Sequence, residues 1–176
     1  VSIGQPLRRR EDQRFLTGKG RYADNTAPTG ALAVLFVRSP HAHARILGID
    51  RAAALALPGV AAIYIAEDTA ADKLGHLPAI SEIKDPAGNR HREPPHLPMP
   101  VGKVRHVGDI VAMVVAGTLD QARDAAEALV VDYEELPAVV TVAQALARGA
   151  ALVHDDVAGN LMCRWERGDA AATDAA

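Results

Sequence analysis

Apolar runs rich in β-branched residues alternate along this chain with short amphipathic stretches, and the clearest alternation lies in residues 104–137. Residues 109–116 (DIVAMVVA) form a continuous apolar run, the pattern of a strand buried on both faces. Gly117 breaks it. Thr118 and Gln121 then make a capping box: the Thr hydroxyl accepts from the N–H three residues on, and the Gln side chain reaches back to the Thr N–H. In the helix that follows, Leu119, Ala122, Ala126 and Leu129 share one stripe; Asp120, Arg123, Asp124 and Glu127 share the other. Residues 129–133 (LVVDY) are strand-like again, and Pro137 closes the unit. A strand, a helix and a strand in about 25 residues predict a small βαβ crossover, right-handed by the usual rule.

The same reading places a strand over 31–37 (ALAVLFV), a break at Arg38-Ser39-Pro40, and extended structure over 44–50 (ARILGID). Asp50 is placed to cap a short helix over 51–57, and Pro58-Gly59 to end it. A further strand covers 60–66, and Asp68 caps a helical turn after it. Thr141 and Gln144 form a second capping box, opening a helix to about Arg148 with Gly149 as its stop. Residues 152–154 and 161–167 read as extended pieces. Gly168-Asp169 opens an Ala-rich tail with no stop signal, so the chain reads as cut rather than finished.

Residues 72–104 break the pattern. Six of the eleven prolines fall between Pro78 and Pro100, and residues 72–104 also carry Gly, charges and three histidines. So long a loop in a compact domain is functional, interfacial or disordered. Pro-rich sequence holds extended conformations at low entropic cost, so an arm on a partner surface is expected, with disorder or a small hairpin as the alternatives.

The 176 residues make one domain or slightly more, enough to bury roughly 70% of the unfolded surface without staples. About a fifth of the residues are Ala and only 3% are aromatic, so elements pack closely but each residue buries little area. A net charge of −3 gives no electrostatic case for nucleic acid. The Arg8-Arg9-Arg10 cluster could contact phosphate, but Glu11 and Asp12 follow it at once. Cys163 is the only cysteine, which excludes an internal disulfide and a Cys-based zinc or iron–sulfur site. No apolar run reaches ~18 residues and no signal peptide is present, so no membrane span and a cytoplasmic location are expected.

Candidate chemistry is sparse. Gly18-Lys19-Gly20 lacks the Ser/Thr and upstream Gly of a phosphate loop; a turn that delivers Tyr22 to a packing site is the plainer reading. His41 and His43, two apart on an extended segment, would share a side as two metal ligands might, but no nearby Asp, Glu or Cys completes a set. Asp132, Glu134 and Glu135 beside Tyr133 read as a solvated strand end rather than an acid–base pair. Cys163, between Met162 and Arg164, reads as a buried small hydrophobe; an Arg-lowered thiolate there lacks a partner base.

Taken in order, several blocks resemble the opening of molybdenum hydroxylase large subunits, the xanthine dehydrogenase, aldehyde oxidase and carbon monoxide dehydrogenase family. These are residues 4–24, with Arg9-Arg10-Glu11-Asp12 and Phe15-Leu-Thr-Gly-Lys-Gly-Arg-Tyr22; Arg38-Ser-Pro-His-Ala-His-Ala-Arg-Ile46; Pro58-Gly-Val60; Val107-Gly108 with Val111-Ala112; 132–139 (DYEELPAV); and Asn160 followed by Gly168-Asp169. Asp109-Ile110 stands where the family more often has Glu-Pro, and Asn25 where it often has Asp. The resemblance implies an α+β fold, the α/β-hammerhead, with mixed small sheets and two or three short helices. It implies an N-terminal extended segment at 1–30, a hammerhead over 31–167 with a Pro-rich insertion at 72–104, and at 168–176 the start of a linker to a molybdopterin-binding domain. It places the molybdenum cofactor, substrate pocket and catalytic base in following domains, so no catalytic, cofactor-binding or metal-ligating residue is assigned here. It further implies partner subunits carrying [2Fe–2S] clusters and FAD, in a three-subunit arrangement. The implied role is a structural and docking domain, with a stand-alone binding or interaction module as the alternative.

Overall fold

The computed structural model describes residues 3–4, 6, 9–78 and 82–176. They divide into two compact units, 1–32 and 33–176. The first was expected to be extended, but it holds helix α1 (Asp12–Leu16) and a 3-10 turn at Ala23–Asn25. Gly18, at φ +69°, ends α1, and Tyr22 stacks on Phe15 with ring centroids 5.5 Å apart. The Gly18-Lys19-Gly20 stretch is therefore a helix-terminating turn that supports an aromatic pair. Arg8 of the triple-arginine cluster lies outside the described residues.

The second unit runs β1 (Ala33–Arg38), β2 (Ala44–Asp50), α2 (Ala52–Leu55), β3 (Val60–Tyr64), α3 (Ala66–Ala71), β4 (Lys103–Val104), β5 (Ile110–Ala116), α4 (Leu119–Ala128), β6 (Val130–Glu135), α5 (Val142–Leu146) and α6 (Ala170–Asp174). Two three-stranded sheets result, ordered β1-β5-β3 and β4-β2-β6, with every pairing antiparallel. β5 is central in its sheet, which explains its apolar run: Val111, Ala112, Val114 and Ala116 are buried.

The expected βαβ crossover is not formed. β5 has β1 on one side and β3 on the other, so no free edge remains for β6. After α4 the chain changes sheets, and β6 pairs with β2 through Ala44↔Glu135, Ile46↔Tyr133 and Asp50↔Val130. Local pattern shows strand, helix and strand, but not which edge is vacant.

α4 packs its Ala122 and Ala125, and Leu129 just after it, with Ala112, Val114, Ala116, Ala54 and Ile63 in the main core. The helix contributes alanines, so it can approach the sheet closely. The buried row includes Ala125, and Leu119 in the first turn stays 43% exposed, unlike the expected stripe. A smaller core of Ala44, Val104 and Val111 sits between the sheets, and Val37 and Val131 touch both cores.

Both capping boxes form: Thr118 with Gln121 and Thr141 with Gln144 exchange their two hydrogen bonds at 3.0–3.2 Å. α5 ends at Leu146, before the expected Arg148. Asp50 accepts from the Ala52 N–H, capping α2. Asp68 acts differently from expectation. It stands inside the first turn of α3 and accepts the Ile65 N–H from there. The segments at 152–154 and 161–167 join no named strand; a 3-10 turn at Ala158–Asn160 lies between them. The tail forms α6, capped by Asp169, whose carboxylate accepts the Ala172 N–H.

Candidate functional site

Three segments, the Pro-rich loop, the turn between β4 and β5 and the C-terminal segment, meet around a cavity of about 460 Å³. The Pro-rich loop supplies Pro95 and His96, the turn between β4 and β5 supplies Arg105 and Asp109, and the C-terminal segment supplies His154 and Met162. The turn is closed by Asp109, whose carboxylate accepts the Arg105 N–H at 3.0 Å and lies 3.5 Å from His106 Nε2. Gly108 at φ +90° lets the chain double back, and its N–H donates to Ser39 O while Ser39 N–H donates to Asp109 O.

Two charged groups of this cavity, Arg105 and Asp109, are tied to backbone. Arg105 Nε donates to Val153 O and its Nη1 to Lys103 O, both at 3.1 Å. His154 is half-buried; burial first, and the Arg105 charge second, hold it below the ordinary histidine value, which favours a neutral ring. Beside it, Lys103 Nζ donates to both oxygens of Asp155 at 2.9 Å, and that hydrogen bond holds Asp155 below the usual carboxylate range. Arg92 donates from its backbone N–H to Met162 O and from its side chain to Asp156 O. Asn160, in the left-handed region at φ +56°, accepts the Val153 N–H and donates to Ala145 O and Ala151 O. These contacts fasten loop to body. They engage Arg105 through Nε and Nη1.

The Pro-rich loop carries a small hairpin: Lys84 bridges Arg90, and His91 N–H donates to Ile83 O. Asp85 shapes its turn, accepting from the amides of Ala87 and Asn89 and from the Asn89 side chain; the last of these leads in holding its carboxyl below the usual range. Residues 79–81 of the loop are outside the described part.

His41 and His43 do not act as a pair. His41 Nδ1 lies 3.2 Å from Glu135 and its ring meets Tyr133 at 4.8 Å, whereas His43 Nδ1 donates to Pro137 O at 2.8 Å. His43 is buried, and its Nε2 meets no hydrogen-bond partner among the described residues. The carboxylates beside Tyr133 diverge: Glu134 pairs with Arg45 at 2.7 Å, Glu135 with His41, and Asp132 faces outward. Tyr133 itself is half-buried, and burial raises its hydroxyl above the ordinary value. Cys163 is exposed, not buried as expected, because its segment joins no sheet. Among the described residues no three His, Cys, Asp or Glu side chains are grouped to hold a metal ion.

Lys103, Arg105 and Asp155 were not legible as site residues, because their partners lie about 50 positions away or on backbone. Asn160 stood out only through the family resemblance, and the structure gives it a role as a hub of three hydrogen bonds.

The sequence profile of the family described as "Aldehyde oxidase and xanthine dehydrogenase, a/b hammerhead domain" matches residues 17–137. The chain belongs to this family. The carbon monoxide dehydrogenase large chain of Hydrogenophaga pseudoflava is 38% identical over 94% of this chain and 21% of its own length. The xanthine dehydrogenase molybdenum-binding subunit of Escherichia coli O157:H7 is 37% identical over 84% of this chain and 19% of its own. The crystal structure of quinoline 2-oxidoreductase from Pseudomonas putida 86 superposes with a TM-score of 0.77 at 41% identity, covering 92% of this chain and 20% of that one. The chain thus spans about a fifth of the relatives it matches. The fold of two three-stranded antiparallel sheets with few helices superposes on that of the quinoline enzyme over 92% of this chain. The match ends at Pro137, so α5 and the Asn160 hub lie past it.

Proposed function

We propose that this hammerhead domain is a structural and docking part of the large subunit of a molybdenum-cofactor oxidoreductase that hydroxylates a carbon centre or oxidises carbon monoxide. The observation that carries the reading is the family match together with the share of each relative that it occupies. The engagement of the charged groups around the cavity supports it. Arg105, Asp109, Lys103 and Asn160 position three loop segments, which is the work of a shaped surface.

The donor set decides how far cofactors enter. One exposed cysteine cannot supply the four thiolates of a [2Fe–2S] cluster, and the histidines at 41 and 43 are directed to Glu135 and Pro137. These residues do not fit an iron–sulfur or molybdenum site, and no step is routed through them. In this reading the molybdenum cofactor is held by a following molybdopterin-binding domain, and the iron–sulfur clusters and FAD by partner subunits. Residues 72–104 are the insertion that reaches those neighbours, and 168–176 lead into the next domain. A cytoplasmic location belongs to the same reading, supported by the single cysteine; no helix among the described residues is long and apolar enough to cross a membrane. The stand-alone module is disfavoured, because the relatives carry the same domain inside chains about five times longer.

Elemental analysis and dye-linked turnover test the proposal. The purified 176-residue chain is expected to carry no stoichiometric molybdenum, iron or zinc and to oxidise none of carbon monoxide, aldehydes or N-heterocycles. Stoichiometric metal after stringent purification would overturn the reading. So would a stop codon directly after Ala176 in the gene.

A further inference from the structure

The β1-β5-β3 sheet has one face covered and one bare. α2 and α4 pack over the face that presents Ala112, Val114, Ala116 and Ile63. Residues directly opposite each other in an antiparallel pair share a face, so the register defines the other side. Val34, Val115 and Ala62 form one row across the three strands, and Phe36, Met113 and Tyr64 the next. None of the six is charged. Val34 is 46% exposed, Phe36 44% and Tyr64 39%; Ala62, Met113 and Val115 are half-buried. Arg38 ends the β1 row opposite Ile110; its guanidinium donates to Gly108 O at 2.8 Å and lies 6.0 Å from the centroid of the Phe36 ring, at the margin of the face.

We infer that this bare face is where the remainder of the large subunit packs, an apolar surface of the same polypeptide. The inference rests on the docking-domain reading above and names its surface. Six half-exposed side chains cover on the order of a few hundred Å², the size of a functional patch on one chain. That falls short of the ~800 Å² per partner at which separate chains associate stably, so a second copy is not the occupant. A segment joined covalently needs far less area, because its effective concentration is high without any further contact. The relatives are about five times as long as this chain, which supplies such a segment.

Thiol accessibility tests this. Val34→Cys and Tyr64→Cys, each in a Cys163→Ser background that removes the native exposed thiol, are compared in two settings with Leu47→Cys, an exposed position on the other sheet. One setting is the 176-residue chain. The other is the same chain replacing the matching fifth of the Hydrogenophaga pseudoflava large chain. Maleimide labelling of Val34→Cys and Tyr64→Cys should slow by roughly tenfold or more in the joined chain, as burial predicts. If only Leu47→Cys is protected, the face is wrong while the docking reading stands. If none is protected, both fail. Protection already present in the short chain, with a dimer in sedimentation, would make a second copy the occupant and overturn the inference.

Discussion

Single side chains decide local boundaries in this domain, and the two threonine caps allow a direct comparison. Thr118 and Thr141 each satisfy a helix-terminal N–H, so replacing either by Ala should lower stability by about 1 kcal/mol in denaturant titrations. Thr118→Ala should cost more, because α4 buries Ala122 and Ala125 whereas α5 buries none of its residues. Gly59 is a second residue-scale test. It sits at φ +83°, its carbonyl accepts the Gly117 N–H, and an added Cβ would lie 2.3 Å from the Gln121 side chain. Gly59→Ala should therefore combine backbone strain with displacement of the Gln121 half of the cap, for a loss of about 2 kcal/mol. The double variant with Thr118→Ala should lose less than the two single losses added, since both damage one cap. Full additivity in urea midpoints would show that Gly59 and the cap are independent.

Between elements, the Arg51–Asp68 pair is the most informative contact. Arg51 donates to Asp68 and to Ile63 O, which ties the start of α2 to β3 and to the first turn of α3. The Arg51 hydrogen bond first, and the Ile65 N–H second, hold the Asp68 carboxyl below its ordinary 3.8. A carboxyl lowered in the folded state adds stability that is complete above that ordinary value and disappears as pH falls through the lowered one. Asp68→Asn should therefore reduce the urea midpoint at about pH 7, and the reduction should shrink as pH falls through the range in which wild-type Asp68 takes up its proton. A reduction that stays the same at every pH would mean that packing, not charge, links the two helices. The sequence placed Asp68 ahead of its helix because Asp is a common N-cap. It could not show that Asp68 would stand inside the first turn, accepting the Ile65 N–H and pairing with Arg51.

For the whole molecule, protection should be graded. The β5 amides of residues 110–115 lie in a central strand with neighbours on both sides, and they should exchange only on global unfolding. In the hairpin of the Pro-rich loop, His91 and Arg92 amides have backbone acceptors, while the amides of Ala87 and Asn89 rest on the Asp85 side chain alone. His91 and Arg92 should exchange more slowly than Ala87 and Asn89, and all four faster than the β5 amides. Once the domain is joined to the rest of a large subunit, all four should slow. Hairpin protection equal to that of β5 in the short chain would make the loop part of the core and remove it as a docking arm.

The sequence alone determined what depends on near neighbours. The five longer strands, α4 and α5, both capping boxes and the Asp50 cap follow from side-chain periodicity and from hydrogen bonds spanning two to four residues. The family was legible in the order of its blocks, including Asn160, whose role was not. Tertiary structure decided what depends on distant partners: that β6 crosses to β2 because β5 has no open edge, that Ala125 rather than Leu119 faces the core, and that Cys163 stays in solvent. It also set Arg105 in the cavity wall, joined Lys103 to Asp155 and made Asn160 a hub of three hydrogen bonds. Their partners, carbonyls, a carboxylate, an ammonium and a backbone N–H, come within 3 Å or so only on folding, and no periodicity records a contact of that kind.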